Sequence, residues 1–213
     1  MDWILNLLDY IIHIDRYLAE VVENYGLWTY LILFAVIFCE TGLVVTPFLP
    51  GDSLVFVIGA LGSSGTINYK ISVIILMAAA VGGNTLNYFI GRMIGKKLLK
   101  RKKILLLKVE HIDKTNKFYQ KHGGIAIAVS RFLPIVRSFA PFVAGIGNMM
   151  FSKFFVYNLI GSVIWVLVFF SGGFFFGKIP AVKDNFSLVI LLIVLITFVP
   201  ALFSFIRRKL KAV

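Results

Sequence analysis

Residues 131–147 read RFLPIVRSFAPFVAGIG, two arginines and two prolines in an apolar run that holds no acid. An isolated charge near the centre of a bilayer costs at least ~2.5–3.5 kcal/mol on insertion scales, so such residues are rarely idle. An earlier stretch complements this one. Residues 40–62, ETGLVVTPFLPGDSLVFVIGALG, hold two acids, two prolines and no base. Proline removes a backbone donor and turns the residue before it away from helix. Each stretch therefore reads as a broken helix, the first with Pro47, Pro50 and Gly51 at its apex and the second interrupted at Pro134 and Pro141. Together they would bring Glu40, Asp52, Arg131 and Arg137 into one polar site inside a membrane protein.

The chain around these stretches sets the solvent. Of 213 residues, 59% are hydrophobic and 15% charged, against an apolar share nearer ~45–50% in soluble domains. No charge falls between Lys70 and Arg92, between Lys153 and Lys178, or between Asp184 and Arg207. Each gap approximates the ~20 residues that cross a bilayer as helix, giving spans over 70–95, 154–177 and 186–206. The first broken run is too short for two spans and too long for one. Irregular backbone at membrane depth is tolerated only where protein or a wet cavity satisfies it, so a re-entrant hairpin fits better. The expected fold is an all-α membrane protein: an inverted repeat of two re-entrant broken-helix hairpins, three full transmembrane helices and two amphipathic interfacial helices.

Charge placement supports that count. Ten of the 22 bases lie between Lys96 and Lys121, and Arg207, Arg208, Lys209 and Lys211 come near the end of the chain. Bases beside spans mark the cytoplasmic side and meet anionic headgroups, which argues against a nucleic-acid role for the net charge of +12. With linker and tail both cytoplasmic, the second broken run must enter and leave on that side. Residues 3–24 alternate Trp3, Leu7, Tyr10 and Ile14 with acids on the other face and lack the basic region of a signal peptide. They are expected as an interfacial helix. Ile112, Thr115, Phe118 and Tyr119 suggest a second one in the linker.

The same order of parts occurs twice: amphipathic helix, broken run, span ending in GxxxGK. Phe48-Leu49-Pro50 with Gly91, Gly95 and Lys96 answers Phe132-Leu133-Pro134 with Gly173, Gly177 and Lys178. One membrane domain over 1–213 is expected, with repeat 1 at 3–96, repeat 2 at 104–178 and a further span at 186–206. A hairpin plus one span is an odd number of crossings, so the copies are inverted, an arrangement used by transporters. The glycine pairs read as close helix packing. Asn84, Asn87 and Arg92 are secondary candidates: the asparagines share one helix face, and Arg92 sits at the membrane exit, where it can snorkel. Cys39 reads as a small buried apolar side chain. No catalytic residue, metal or cofactor is expected, because His13, His111 and His122 are scattered and lack ligand spacing.

ETGLVVTPFLPGDSL, NYFIGRMIG, DKTNKFYQKHGG, SRFLPIVRSFAPFVAGIGNM and YNLIGSVIWVL together resemble the DedA family of membrane proteins, which carry the SNARE-associated or VTT domain. The resemblance covers almost the whole chain. It implies two opposed re-entrant hairpins and embedded acids and arginines needed for activity, roles that map onto Glu40, Asp52, Arg131 and Arg137, with Pro47, Pro50, Pro134 and Pro141 shaping the apices. Bacterial members are linked to returning undecaprenyl phosphate across the cytoplasmic membrane, and eukaryotic relatives to lipid scrambling. Many relatives have Asp where this chain has Asn84.

The expected function is therefore translocation of undecaprenyl phosphate across the bacterial cytoplasmic (inner) membrane by a multi-pass protein that is not an enzyme. Two arginines at i and i+6 would clamp the headgroup, and Glu40 and Asp52 would hold them when the site is empty. A carboxylate that took up a proton as phosphate entered would couple movement to the proton gradient. Two alternatives are a general phospholipid scramblase and a proton- or ion-coupled transporter of small solutes. The partner is an anionic membrane lipid, undecaprenyl phosphate or a phospholipid, with protons as the coupled species.

Overall fold

The computed structural model describes residues 24–43, 51–100 and 123–179, with 182, 188, 189 and 192. All but the last residue of the expected interfacial helix at 3–24, most of the basic linker, Pro47 and Pro50, and all but three residues of the 186–206 span lie outside the described residues. Six helices carry the described chain: α1 Trp28–Gly42, α2 Gly51–Ser63, α3 Tyr69–Lys100, α4 Ile125–Ser130, α5 Pro134–Ile146 and α6 Phe151–Phe176. No strand occurs among the described residues.

Among the described residues two stretches are long and apolar enough to cross a membrane, Tyr69–Gly95 in α3 and Phe151–Phe176. Helix α3 runs past the expected end at 95 to Lys100, because Lys and Leu are strong helix formers and neither Gly nor Pro follows Gly95. The turn into α6 places Asn148 at φ 52°, a left-handed conformation that Asn tolerates. Cys39 is exposed on α1, contrary to the expected burial. In a membrane protein a thiol meets no penalty on an apolar outer surface.

The second broken run breaks where its first proline requires it. Helix α4 ends at Ser130, Leu133 is extended at φ −117°, ψ 105°, and Pro134 opens α5. Pro141 departs from expectation. It lies inside α5 and does not end it. It still removes the N–H that would bond the Arg137 carbonyl and crowds that turn, so the helix is loosened beside Arg137 and Ser138 without being broken.

The chain divides into two compact units, Met1–Ala35 with Pro50–Met77 and Val166–Val213, and Val36–Leu49 with Ala78–Trp165. In the first unit α2 lies against the end of α6. A Cβ on Gly59 would strike the Phe170 carbonyl, one on Gly173 the Phe56 carbonyl, and one on Gly177 would come 2.9 Å from Ala60 Cα. In the second unit α5 lies against the end of α3. A Cβ on Gly145 would strike the Tyr88 carbonyl, one on Gly91 the Phe142 carbonyl, and one on Gly95 would come 2.9 Å from Ile146 Cα. The two patterns correspond residue for residue: Phe56, Gly59 and Ala60 on Phe170, Gly173 and Gly177, and Phe142, Gly145 and Ile146 on Tyr88, Gly91 and Gly95. Each GxxxG is thus a packing surface, as expected, and its partner is a helix of the broken run that the sequence reading assigns to the other expected repeat. Close backbone approach of this kind replaces the hydrophobic drive that helices lack in lipid.

Candidate functional site

The second unit buries a polar cluster in an apolar setting. Helix α1 brings Glu40 into its last turn, and α5 brings Arg137 one turn after its opening proline. Arg137 Nη2 donates to Glu40 Oε1 at 2.5 Å, with side-chain exposures of 5% and 1%. A buried ion pair holds only when geometry and further bonds offset its desolvation, so this pair ties two distant segments together.

Arg131 caps α4 and is buried. Its Nη2 donates to the Ala80 carbonyl at 2.8 Å and to Asn158 Oδ1 at 3.0 Å. Asn158 is a junction: its oxygen also accepts from Asn84 Nδ2 at 3.0 Å, and its Nδ2 donates to the Val81 carbonyl at 3.1 Å. Ser162, a turn later on α6, donates to the Asn158 carbonyl at 2.6 Å.

Asn87 works on the other side. Its Nδ2 donates to the Ser138 carbonyl at 2.8 Å and the Thr41 carbonyl at 3.3 Å. Thr41 stands at the end of α1, where carbonyls lack helix donors, and Ser138 lies in the turn that Pro141 loosens. The amide therefore braces the residues next to both members of the Glu40–Arg137 pair.

Trp165, fully buried on α6, completes the cluster. The guanidinium carbons of Arg131 and Arg137 stand 5.7 and 5.5 Å from its ring centre, within cation–π range of the best aromatic donor. One indole thus serves both arginines.

Of the residues expected from sequence, Glu40 and Arg137 meet directly, Arg131 joins Asn84 through Asn158, and Asn87 binds the backbone beside the ion pair. Arg92 is half-buried and weakly linked, its Nη1 donating to the Tyr88 hydroxyl at 3.4 Å while that hydroxyl donates to the Met149 carbonyl at 2.5 Å. Asp52 belongs to the first unit, buried in the first turn of α2 behind Gly51, where a carboxylate suits a helix N-terminus. Asn158 and Trp165 were not expected, since they lie in what reads as a plain span. The available signal was Asn158 with Ser162, two polar residues one turn apart on an otherwise apolar helix.

The chain matches the VTT domain over residues 49–175. It is 50% identical over 214 residues to Protein DedA of Escherichia coli (strain K12), covering 100% of this chain and 98% of that protein. It is 35% identical over 169 residues to an uncharacterized membrane protein of Mycobacterium leprae, covering 79% and 76% of the two chains. Against the inner membrane protein YqjA of Escherichia coli (strain K12) it is 31% identical over 151 residues, or 71% and 69%. No solved structure matches it. The chain belongs to the DedA family of VTT-domain membrane proteins, the family its motifs resemble.

Proposed function

We propose that this DedA-family protein carries undecaprenyl phosphate across the bacterial inner membrane, its two broken segments acting as re-entrant hairpins of an inverted repeat. The observation that carries the reading is the gathering of Arg131 and Arg137 about Trp165, both buried, in a unit whose other described charge at that depth is Glu40. Intramembrane charges mark pathways more often than they merely brace a fold. A lipid phosphate is an anionic head on an apolar tail, and its head alone needs help across ~30 Å of hydrocarbon. Guanidinium forks suit phosphate oxygens better than point charges do. Glu40 holds Arg137 until the headgroup competes for it, and the tail stays in lipid. The matched packing of α2 on α6 and α5 on α3 supports the two-copy architecture, and the inner-membrane name of one relative supports the location.

The test is movement of labelled undecaprenyl phosphate between leaflets of proteoliposomes, with and without a pH gradient. The protein is expected to accelerate it over protein-free vesicles, and Arg137→Lys, which keeps the charge but loses the fork, to slow it at least tenfold. No acceleration by the wild type overturns the proposal. Equal acceleration of phosphatidylcholine and phosphatidylethanolamine would make the protein a general scramblase instead.

A further inference from the structure

Two side-chain oxygens beside the arginines have no donor among the described residues. Asn84 Oδ1 and Asn87 Oδ1 accept no hydrogen bond from them, in residues only 1% and 0% exposed. Which end of each amide is left over is dictated by its neighbours. Asn87 faces two carbonyls, Thr41 and Ser138, so its nitrogen must point at them and its oxygen away. Asn158 Oδ1 receives Arg131, which can only donate, and Asn158 Nδ2 meets the Val81 carbonyl. Asn158 is thereby oriented, and Asn84 must offer its nitrogen to that oxygen. Turning either amide over would set oxygen against oxygen. A buried acceptor left unmade carries its desolvation penalty in full, so the pair, one turn apart on a single face of α3, calls for a donor.

The surroundings limit what that donor is. Glu40 comes from α1 next to Thr41, Arg137 from α5 next to Ser138, and Arg131 from the end of α4 through Asn158. Helix α6 adds Asn158, Ser162 and Trp165, with its Lys153 exposed, and α3 itself adds Tyr88 and Arg92 one turn on. An ammonium group would face two guanidinium groups of its own sign. A phosphate has the opposite match, and one of its protonation states fits both kinds of partner.

We infer that the Asn84 and Asn87 oxygens receive the P–OH of a phosphate monoester, so that the lipid headgroup is taken up as its singly protonated monoanion. The two oxygens that share that ion's single charge suit Arg131 and Arg137, and its hydroxyl suits an amide oxygen. The dianion would press an oxyanion on the amide lone pairs, and a phosphodiester has no hydroxyl to give. The headgroup gains one proton from water on entry and returns it on exit, so a proton crosses with the lipid and no side chain needs to titrate. This inference rests on the proposed phosphate-lipid function.

The test compares undecaprenyl phosphate with its monomethyl ester in vesicles holding the full protein, at pH 6 and pH 8. The ester keeps one negative charge and loses the hydroxyl. Its movement is expected to be at least tenfold slower than that of the phosphate at pH 6. Phosphate monoesters lose their second proton at about pH 6, so the monoanion falls roughly fiftyfold by pH 8, and the phosphate is expected to slow at least tenfold over that range. The pH arm involves no added bulk, which separates hydroxyl recognition from a clash with the methyl group. An ester moved within threefold of the phosphate, or a phosphate rate equal at both pH values, overturns the inference and leaves phosphate-lipid transport standing. If neither lipid moves faster than in protein-free vesicles, both readings fall.

Discussion

Arg137 donates to Glu40 Oε1 at 2.5 Å across 97 residues of sequence, with both side chains hidden from solvent. Removing one partner of a buried pair costs about 3–5 kcal/mol, whereas replacing both by apolar groups is often close to neutral. Glu40→Leu and Arg137→Met are each expected to lower stability in detergent by about that amount, and the double substitution to recover at least half of the combined loss while staying inactive. Thermal unfolding of the four proteins measures the coupling. Strictly additive losses would mean that the pair does not brace the unit.

Trp165 offers one ring to two guanidinium groups. Phenylalanine keeps most of the packing and a weaker π face, and alanine keeps neither. Trp165→Ala is expected to cost about 3–5 kcal/mol as a large buried truncation. Trp165→Phe should cost about 1 kcal/mol, since desolvated cation–π contacts to indole exceed those to benzene. Lipid movement in proteoliposomes should follow the same order. Full activity of the alanine variant would remove Trp165 from the site.

The broken second run, the burial of both arginines and the Glu40–Arg137 meeting were legible because charge and proline are expensive in hydrocarbon and point to their own remedies. What covers the GxxxG surfaces was not. Periodicity tells which face of α3 or α6 is small, but lipid is as apolar as a helix, so nothing local says that α5 meets Gly91 and Gly95 while α2 meets Gly173 and Gly177. Pro141 reads as a breaker, yet α5 runs through it, since packing against α3 outweighs one missing bond. Asn158 and Trp165 passed as ordinary members of a span because an amide or an indole shows its partner only once Arg131 is placed beside it.

Adjacent glycines on α6 should respond in opposite directions. A Cβ on Gly173 falls into the Phe56 carbonyl, whereas one on Gly172 meets Phe56 Cε2 at an ordinary 3.6 Å. Gly173→Ala is expected to destabilise by about 1–3 kcal/mol through overpacking. Gly172→Ala should stabilise by about 0.5–1 kcal/mol through helix propensity. Melting of the two variants side by side in detergent decides it, and like-signed shifts would contradict the packing of α2 on α6. The same contrast predicts that Gly91→Ala is as damaging as Gly173→Ala.

Asn158 tests whether Arg131 is held by that amide or merely lies near it. Aspartate at this position keeps an oxygen for Arg131 and for Asn84, with charge-assisted strength, but loses the donations to Val81 and Thr85 and sets its second oxygen against the Val81 carbonyl. Leucine of similar size loses every bond and leaves a buried guanidinium group short of an acceptor, at about 1.5–3 kcal/mol for a hydrogen bond to a charged group. Asn158→Leu is therefore expected to be the less stable variant and to stop lipid movement, while Asn158→Asp folds and retains part of it. Melting in detergent and transport in vesicles should rank the two alike. Arg131→Lys should narrow the gap, because Ala80 and Asn158 are both reached by Nη2 and the lysine nitrogen stops about one bond short of that atom. A leucine variant as stable and active as the aspartate one would show that the contact between Arg131 and Asn158 contributes nothing.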